Sequence, residues 1–76
     1  MIRGMQVSFA FFLKDQAVPF STPQPICVRS RAEARQIAQG TAEVEGMGAF
    51  AAEIEQLDGE WRARWTRDAG WVDLDA

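Results

Sequence analysis

The stretch Ile54-Glu55-Gln56-Leu57-Asp58-Gly59-Glu60-Trp61-Arg62-Ala63-Arg64-Trp65 constrains the fold more than any other part of the chain. An Asp-Gly pair stands there between two runs in which apolar and charged residues alternate. A pair so flanked is the strongest short-range signal for a two-residue β-hairpin, whose type I′ turn needs positive φ at both central positions. With Asp58 and Gly59 as the loop, Leu57 lies opposite Glu60, Gln56 opposite Trp61 and Glu55 opposite Arg62. Ile54 then lies opposite Ala63, Glu53 opposite Arg64 and Ala52 opposite Trp65. One face carries Ala52, Ile54, Trp61, Ala63 and Trp65. The other carries Glu53, Glu55, Arg62 and Arg64 as two opposite-charge pairs, each contributing roughly 0.2–1 kcal/mol. The chain thus specifies a sheet with one oily face and one charged face, and function is expected on the charged one.

The remaining elements follow from periodicity and punctuation. Met5 to Leu13 reads as a strand with Val7, Phe9, Phe11 and Leu13 on one face and Ser8, Ala10 and Phe12 on the other. Phe12 on that second face implies that the face is partly covered. Pro19, Pro23 and Pro25 mark Asp15 to Pro25 as a loop. Ile26 to Val28 forms a short strand. Ser30-Arg31-Ala32-Glu33 is a capping-box pattern, in which the Ser30 hydroxyl accepts from the Glu33 amide and Glu33 reaches back to the Ser30 amide. Ala34, Ile37 and Ala38 then form a narrow apolar stripe, with Arg31, Arg35 and Gln39 facing solvent. Gly40 is a candidate stop, and the helix is expected to end between Gln39 and Glu45. Gly46 and Gly48 mark the turn into a strand over Ala49 to Leu57, and the hairpin returns from Glu60 to Thr66. Arg67 to Gly70 turns the chain again into a last strand, Trp71 to Leu74. The expected fold is α+β: a four- to five-stranded antiparallel sheet with one α-helix packed on its oily face.

Seventy-six residues hold one domain, spanning 1–76, with a small core. Three Trp and five Phe offset the size. The single cysteine, Cys27, excludes an internal disulfide framework and suits a reducing cytosol; between Ile26 and Val28 it reads as a buried, inert thiol. Nothing approaches the length of a membrane span. Arg3 followed by Val7 to Leu13 faintly resembles a signal peptide, but Gln6 and Ser8 interrupt it and Lys14 and Asp15 end it. The net charge is −3, and no basic residue falls between Arg35 and Arg62. That interval holds Glu43, Glu45, Glu53, Glu55, Asp58 and Glu60, an acidic run that repels bare nucleic acid and favours basic protein surfaces.

Enzyme chemistry finds little support. Histidine is absent, which removes the usual general base near neutral pH and the commonest transition-metal ligand. One cysteine builds no zinc site, no carboxylate spacing resembles a calcium loop, and Gly46-Met47-Gly48 reads as a turn rather than a phosphate loop. Ser21, Ser30 and Thr66 have no activating partner, and Asp73 with Asp75 lies at a terminus expected to fray. No cofactor, no metal and no catalysis are expected. Trp61, Trp65 and Trp71 could stack on bases beside Arg62 and Arg64, but the alternation sets Trp61 and Trp65 on the face opposite those arginines.

Three motifs in order carry a resemblance: the capped helix with Ala34-Arg35-Gln36-Ile37-Ala38, the hairpin Ile54-Glu55 with Asp58-Gly59 and Trp61, and the ending Trp71-Val72-Asp73. Together, over about the last fifty residues, they resemble a small type I anti-CRISPR family, the ninth among type I-F inhibitors, and its type I-C counterpart. The resemblance implies a phage protein in the bacterial cytosol. It implies binding to a type I surveillance complex (Cascade) along its repeated Cas7 backbone subunits, so that target DNA is kept from the guide. A basic helix residue contributes to that contact in the family, and Arg35 matches it; the next position, often basic there, is Gln36 here. The Asp15 to Pro25 loop is longer and richer in proline, and the chain is more acidic, which favours a type I-C target over type I-F. The expected contact residues are Arg35, Glu53, Glu55, Arg62 and Arg64. A monomer with no membrane contact is expected. The alternative is a small nucleic-acid-binding phage regulator using Arg29, Arg31, Arg35, Arg62, Arg64 and Arg67.

Overall fold

A computed structural model describes residues 4–20, 25–44 and 48–74. Five strands and one helix follow in the order β1 (Met5–Phe12), β2 (Pro25–Val28), α1 (Arg31–Ala42), β3 (Ala51–Gln56), β4 (Arg62–Thr66) and β5 (Gly70–Asp73). The strands form one sheet in the order β2-β1-β3-β4-β5, and every neighbouring pair is antiparallel. The last three strands are a meander; β1 lies beside β3, so the chain returns to the middle of the sheet after the helix. The fold is the expected α+β sheet with α1 packed on one face. No helix among the described residues is long and apolar enough to cross a membrane.

The hairpin register is the one its alternation dictates, from Ala52 opposite Trp65 to Glu55 opposite Arg62. The turn is not the two-residue I′ form. The Gln56 amide donates to the Trp61 carbonyl at 2.8 Å, so Leu57 to Glu60 forms a four-residue loop. The Gly59 amide closes a turn on the Gln56 carbonyl at 2.8 Å, and of the two central residues only Gly59 has positive φ, +81°. Asp58 instead uses its carboxylate, one oxygen accepting from the Glu60 amide at 3.0 Å and the other from Gln56 Nε2 at 3.3 Å. That local bond holds the turn without a left-handed aspartate. Both loops are centred between the same two residues, so the register survives the change of turn.

The inner face of the hairpin is built as expected, whereas Leu13, expected beside Val7, Phe9 and Phe11, lies past the end of β1 and is 45% exposed. Ala52, Ile54, Trp61, Ala63 and Trp65 are all buried, Trp61 at 1% and Trp65 at 4% exposure. Val7 and Phe11 extend the core along β1, with Phe9 partly buried beside them. The helix meets this surface through Ala34, Ala38 and Ala42, spaced four apart. Such small side chains let a helix axis lie close over a sheet, and the bulky indoles then fill the space on its flank. This corrects the helix reading in two ways. Ile37 does not join the stripe and is 37% exposed. Arg31, Arg35 and Gln39 do not simply face solvent: Arg31 Cζ and Arg35 Cζ stand 5.2 and 5.6 Å from the Trp61 ring centroid, and Gln39 Oε1 accepts from Trp71 Nε1 at 3.0 Å.

Ser30 caps the helix, its hydroxyl accepting from the Glu33 amide at 3.1 Å. The Glu33 carboxylate reaches the amide of Arg29, at 3.0 Å, rather than that of Ser30. Gly40 does not stop α1, which runs on to a C-cap at Glu43, within the expected window. Arg67 secures that end by donating from Nη2 to the Ala42 carbonyl at 3.1 Å and from Nε to the Ala49 carbonyl at 2.7 Å. A guanidinium on the last carbonyls opposes the negative end of the helix dipole. Cys27, expected to be buried, is exposed, because it lies opposite Gln6 and turns to the face away from the helix while Val28 turns inward. Glu45, Gly46, Ser21 and Asp75, named in the sequence reading, lie outside the described residues.

Candidate functional site: the uncovered face of the sheet

Alternation in β1, β3, β4 and β5 puts every second side chain on the face away from the helix. Cross-strand register aligns these side chains into rows: Ser8, Glu55 and Arg62 in one, Ala10, Glu53, Arg64 and Val72 in the next, and Phe12, Ala51 and Thr66 in a third. Both expected ion pairs are present. Arg64 donates from Nη1 to Glu53 Oε2, and Arg62 Nε lies 3.9 Å from Glu55 Oε2. The first pair is the better shielded, with side-chain exposures of 35% and 27%. Arg64 also stands over the Phe12 ring, 5.1 Å from its centroid. That contact accounts for the misfit noted in β1: Phe12 is 6% exposed on the charged face, beside Ala51 and beneath a guanidinium. The covering is therefore partial, at one end of the face.

Next to the ion pairs the surface dips. Ser8, Ala10, Glu53, Ile54, Glu55 and Arg62 line a shallow depression of about 110 Å³. It exists because Ser8 and Ala10 are small where their neighbours are long. On the other side, β5 adds Val72, which is 54% exposed and directly opposite Arg64. Leu74 follows it, 39% exposed, its amide donating to the Arg62 carbonyl at 2.9 Å. Sequence reasoning missed this apolar margin, because it took Arg67 to Gly70 as the turn, whereas Gly70 already belongs to β5 opposite Thr66 and shifts Val72 beside Arg64.

Four of the five expected contact residues, Glu53, Glu55, Arg62 and Arg64, therefore share one face. Arg35 does not. It lies across the sheet, on the helix side, over Trp61 and 4.0 Å from Asp73 Oδ1. Asp73 also accepts from Trp61 Nε1 at 3.2 Å, which ties β5 to the core indole. The acidic reading of the sequence changes as well. Glu53 and Glu55 are matched by Arg64 and Arg62, so the face is patterned rather than negative. Among the described residues no cluster of His, Cys, Asp and Glu could hold a metal. The arrangement offers carboxylates and guanidiniums in a set order on one sheet face, which suits recognition by charge pattern and shape.

No family model, no curated protein and no solved structure matches the chain.

Proposed function

We propose that this chain is a non-catalytic anti-CRISPR inhibitor of the bacterial cytosol. In this reading it binds a type I surveillance complex, of subtype I-C before I-F, on the repeated backbone subunits, and so blocks target DNA. The supporting observation is the uncovered sheet face, where the Glu53–Arg64 and Glu55–Arg62 pairs stand in adjacent rows beside the notch at Ser8 and Ala10. RNA-guided complexes hold nucleic acid in a positively charged channel that reads backbone and shape rather than sequence. A small rigid protein of net charge −3 enters such a channel on favourable terms. The Glu53 carboxylate, already bonded to Arg64, then loses little side-chain entropy on binding.

The nucleic-acid reading is the weaker one. It needs free guanidiniums on one surface. Arg62 and Arg64 face carboxylates, Arg67 is committed to two backbone carbonyls, and Arg31 and Arg35 lie over Trp61 across the sheet from Arg62 and Arg64. The test of the proposal is a direct binding measurement against purified type I-C and type I-F complexes. Wild type should bind at least one of them, and Glu53→Lys with Glu55→Lys should weaken that binding at least about tenfold, a loss of about 1.4 kcal/mol. No binding to either complex, or full binding by a folded double variant, overturns it.

A further inference from the structure

The two edges of the sheet are unequally protected. At one edge, β2 begins with Pro25, which has no amide hydrogen to offer a further strand. At the other, β5 reads Gly70-Trp71-Val72-Asp73, with no proline and no lysine. The bond from the Leu74 amide to the Arg62 carbonyl sets the phase of the β4–β5 ladder. In an antiparallel ladder such pairs alternate, so residues 70, 72 and 74 turn their backbone groups toward β4. Trp71 and Asp73 then turn theirs outward, to the open edge.

We propose that β5 pairs antiparallel with β5 of a second copy of this chain, about a two-fold axis through Val72. The register follows from the outward groups. Backbone bonds are exchanged when Trp71 faces Asp73, Trp71 faces Trp71, or Asp73 faces Asp73 of the second copy. An axis through Asp73 sets two carboxylates opposite one another, which is unfavourable. An axis through Trp71 sets Val72 opposite a glycine and leaves Asp73 against Ala69. The axis through Val72 gives two Trp71–Asp73 pairs, each exchanging two backbone hydrogen bonds. It also puts Val72 against Val72 in a non-hydrogen-bonded pair, where side chains approach closest. Leu74 falls opposite Gly70, where nothing lies within 4 Å of a Cβ built on the glycine, so the space it needs is open. The exposed Val72 and Leu74 of both copies merge into one apolar stripe between their flanking arginines. Such self-complementarity is what an isologous contact requires.

One strand on one strand buries less than the roughly 1,000 Å² of a stable complex, so the dimer is weak and fills only from about 0.1 to 1 mM. Sedimentation across that range should show a dimer that Val72→Lys abolishes, circular dichroism being unchanged because Val72 is exposed. A second arm tests the register in a Cys27→Ser background. Val72→Cys should form a disulfide-linked dimer readily, since opposed non-hydrogen-bonded Cα atoms lie about 4.5 Å apart. Leu74→Cys should not, because its counterpart is four residues away along the ladder. A monomer at about 1 mM, or a Leu74→Cys chain that links as fast as Val72→Cys, overturns the proposal. The measurement uses the free protein, so failure here leaves the binding proposal standing.

Discussion

Gly40 lies in the last turn of α1, where beyond the local backbone of the helix nothing stands within 4 Å of a Cβ position, and its φ is not positive. Glycine there costs helix stability for no gain in packing. Gly40→Ala should therefore raise unfolding free energy by about 0.5–1 kcal/mol, read as a higher urea midpoint with an unchanged slope. The residue scale is also where the sequence was most unevenly legible. Trp61 and Trp65 were placed in the core by alternation alone, because a strand offers a side chain only two directions. Cys27 was misjudged, because alternation puts it on one face of β2, and which face the helix covers is set by the register with β1, which no local pattern carries. Arg35 was misjudged for a related reason. A helical wheel says which side a residue is on, but not that a large indole from the sheet will rise beside an alanine-faced helix to meet it.

Among the elements, the β3–β4 hairpin was readable in register and not in turn type. A two-residue loop and a four-residue loop centred on Asp58 and Gly59 give the same partners, so the flanking residues fixed the pairing while the Asp58 carboxylate chose the turn. The end of α1 was readable only as a window. What secures it is Arg67, which is 25 residues from Ala42 in the chain and reaches both the helix end and the entry to β3. Hydrogen bonds from charged donors are worth about 1.5–3 kcal/mol net. Arg67→Met, which keeps much of the apolar stem, should lower stability by about 2 kcal/mol. Hydrogen exchange should rise first at the amides of the last helical turn. A loss no larger than that of an exposed surface substitution would show that the helix end is held by its own C-cap.

At the scale of the whole molecule, the class of fold was legible and the strand order only in part. Short turns make β3, β4 and β5 neighbours, but nothing local tells β1 to sit between β2 and β3. The consequence is functional. Because β1 joins β3, the small Ser8 and Ala10 lie beside Glu55 and Glu53, and the charged ribbon read from the hairpin becomes a broad, notched face. The proposed inhibitor activity depends on the pattern of that face, and the pattern can be inverted without removing a single ion pair. Glu53→Arg with Arg64→Glu, together with Glu55→Arg and Arg62→Glu, keeps each carboxylate opposite a guanidinium. It sacrifices only the Arg64 contact with Phe12, worth about 0.5–1 kcal/mol. The decisive measurement is target-DNA loading onto a purified type I-C or I-F complex, preincubated with wild type or with this swapped chain. Wild type should block loading on at least one complex, and the swapped chain, with its far-ultraviolet dichroism intact, should let DNA load as if no inhibitor were present. Loading undisturbed by wild type, or blocked equally by both chains, would contradict the account.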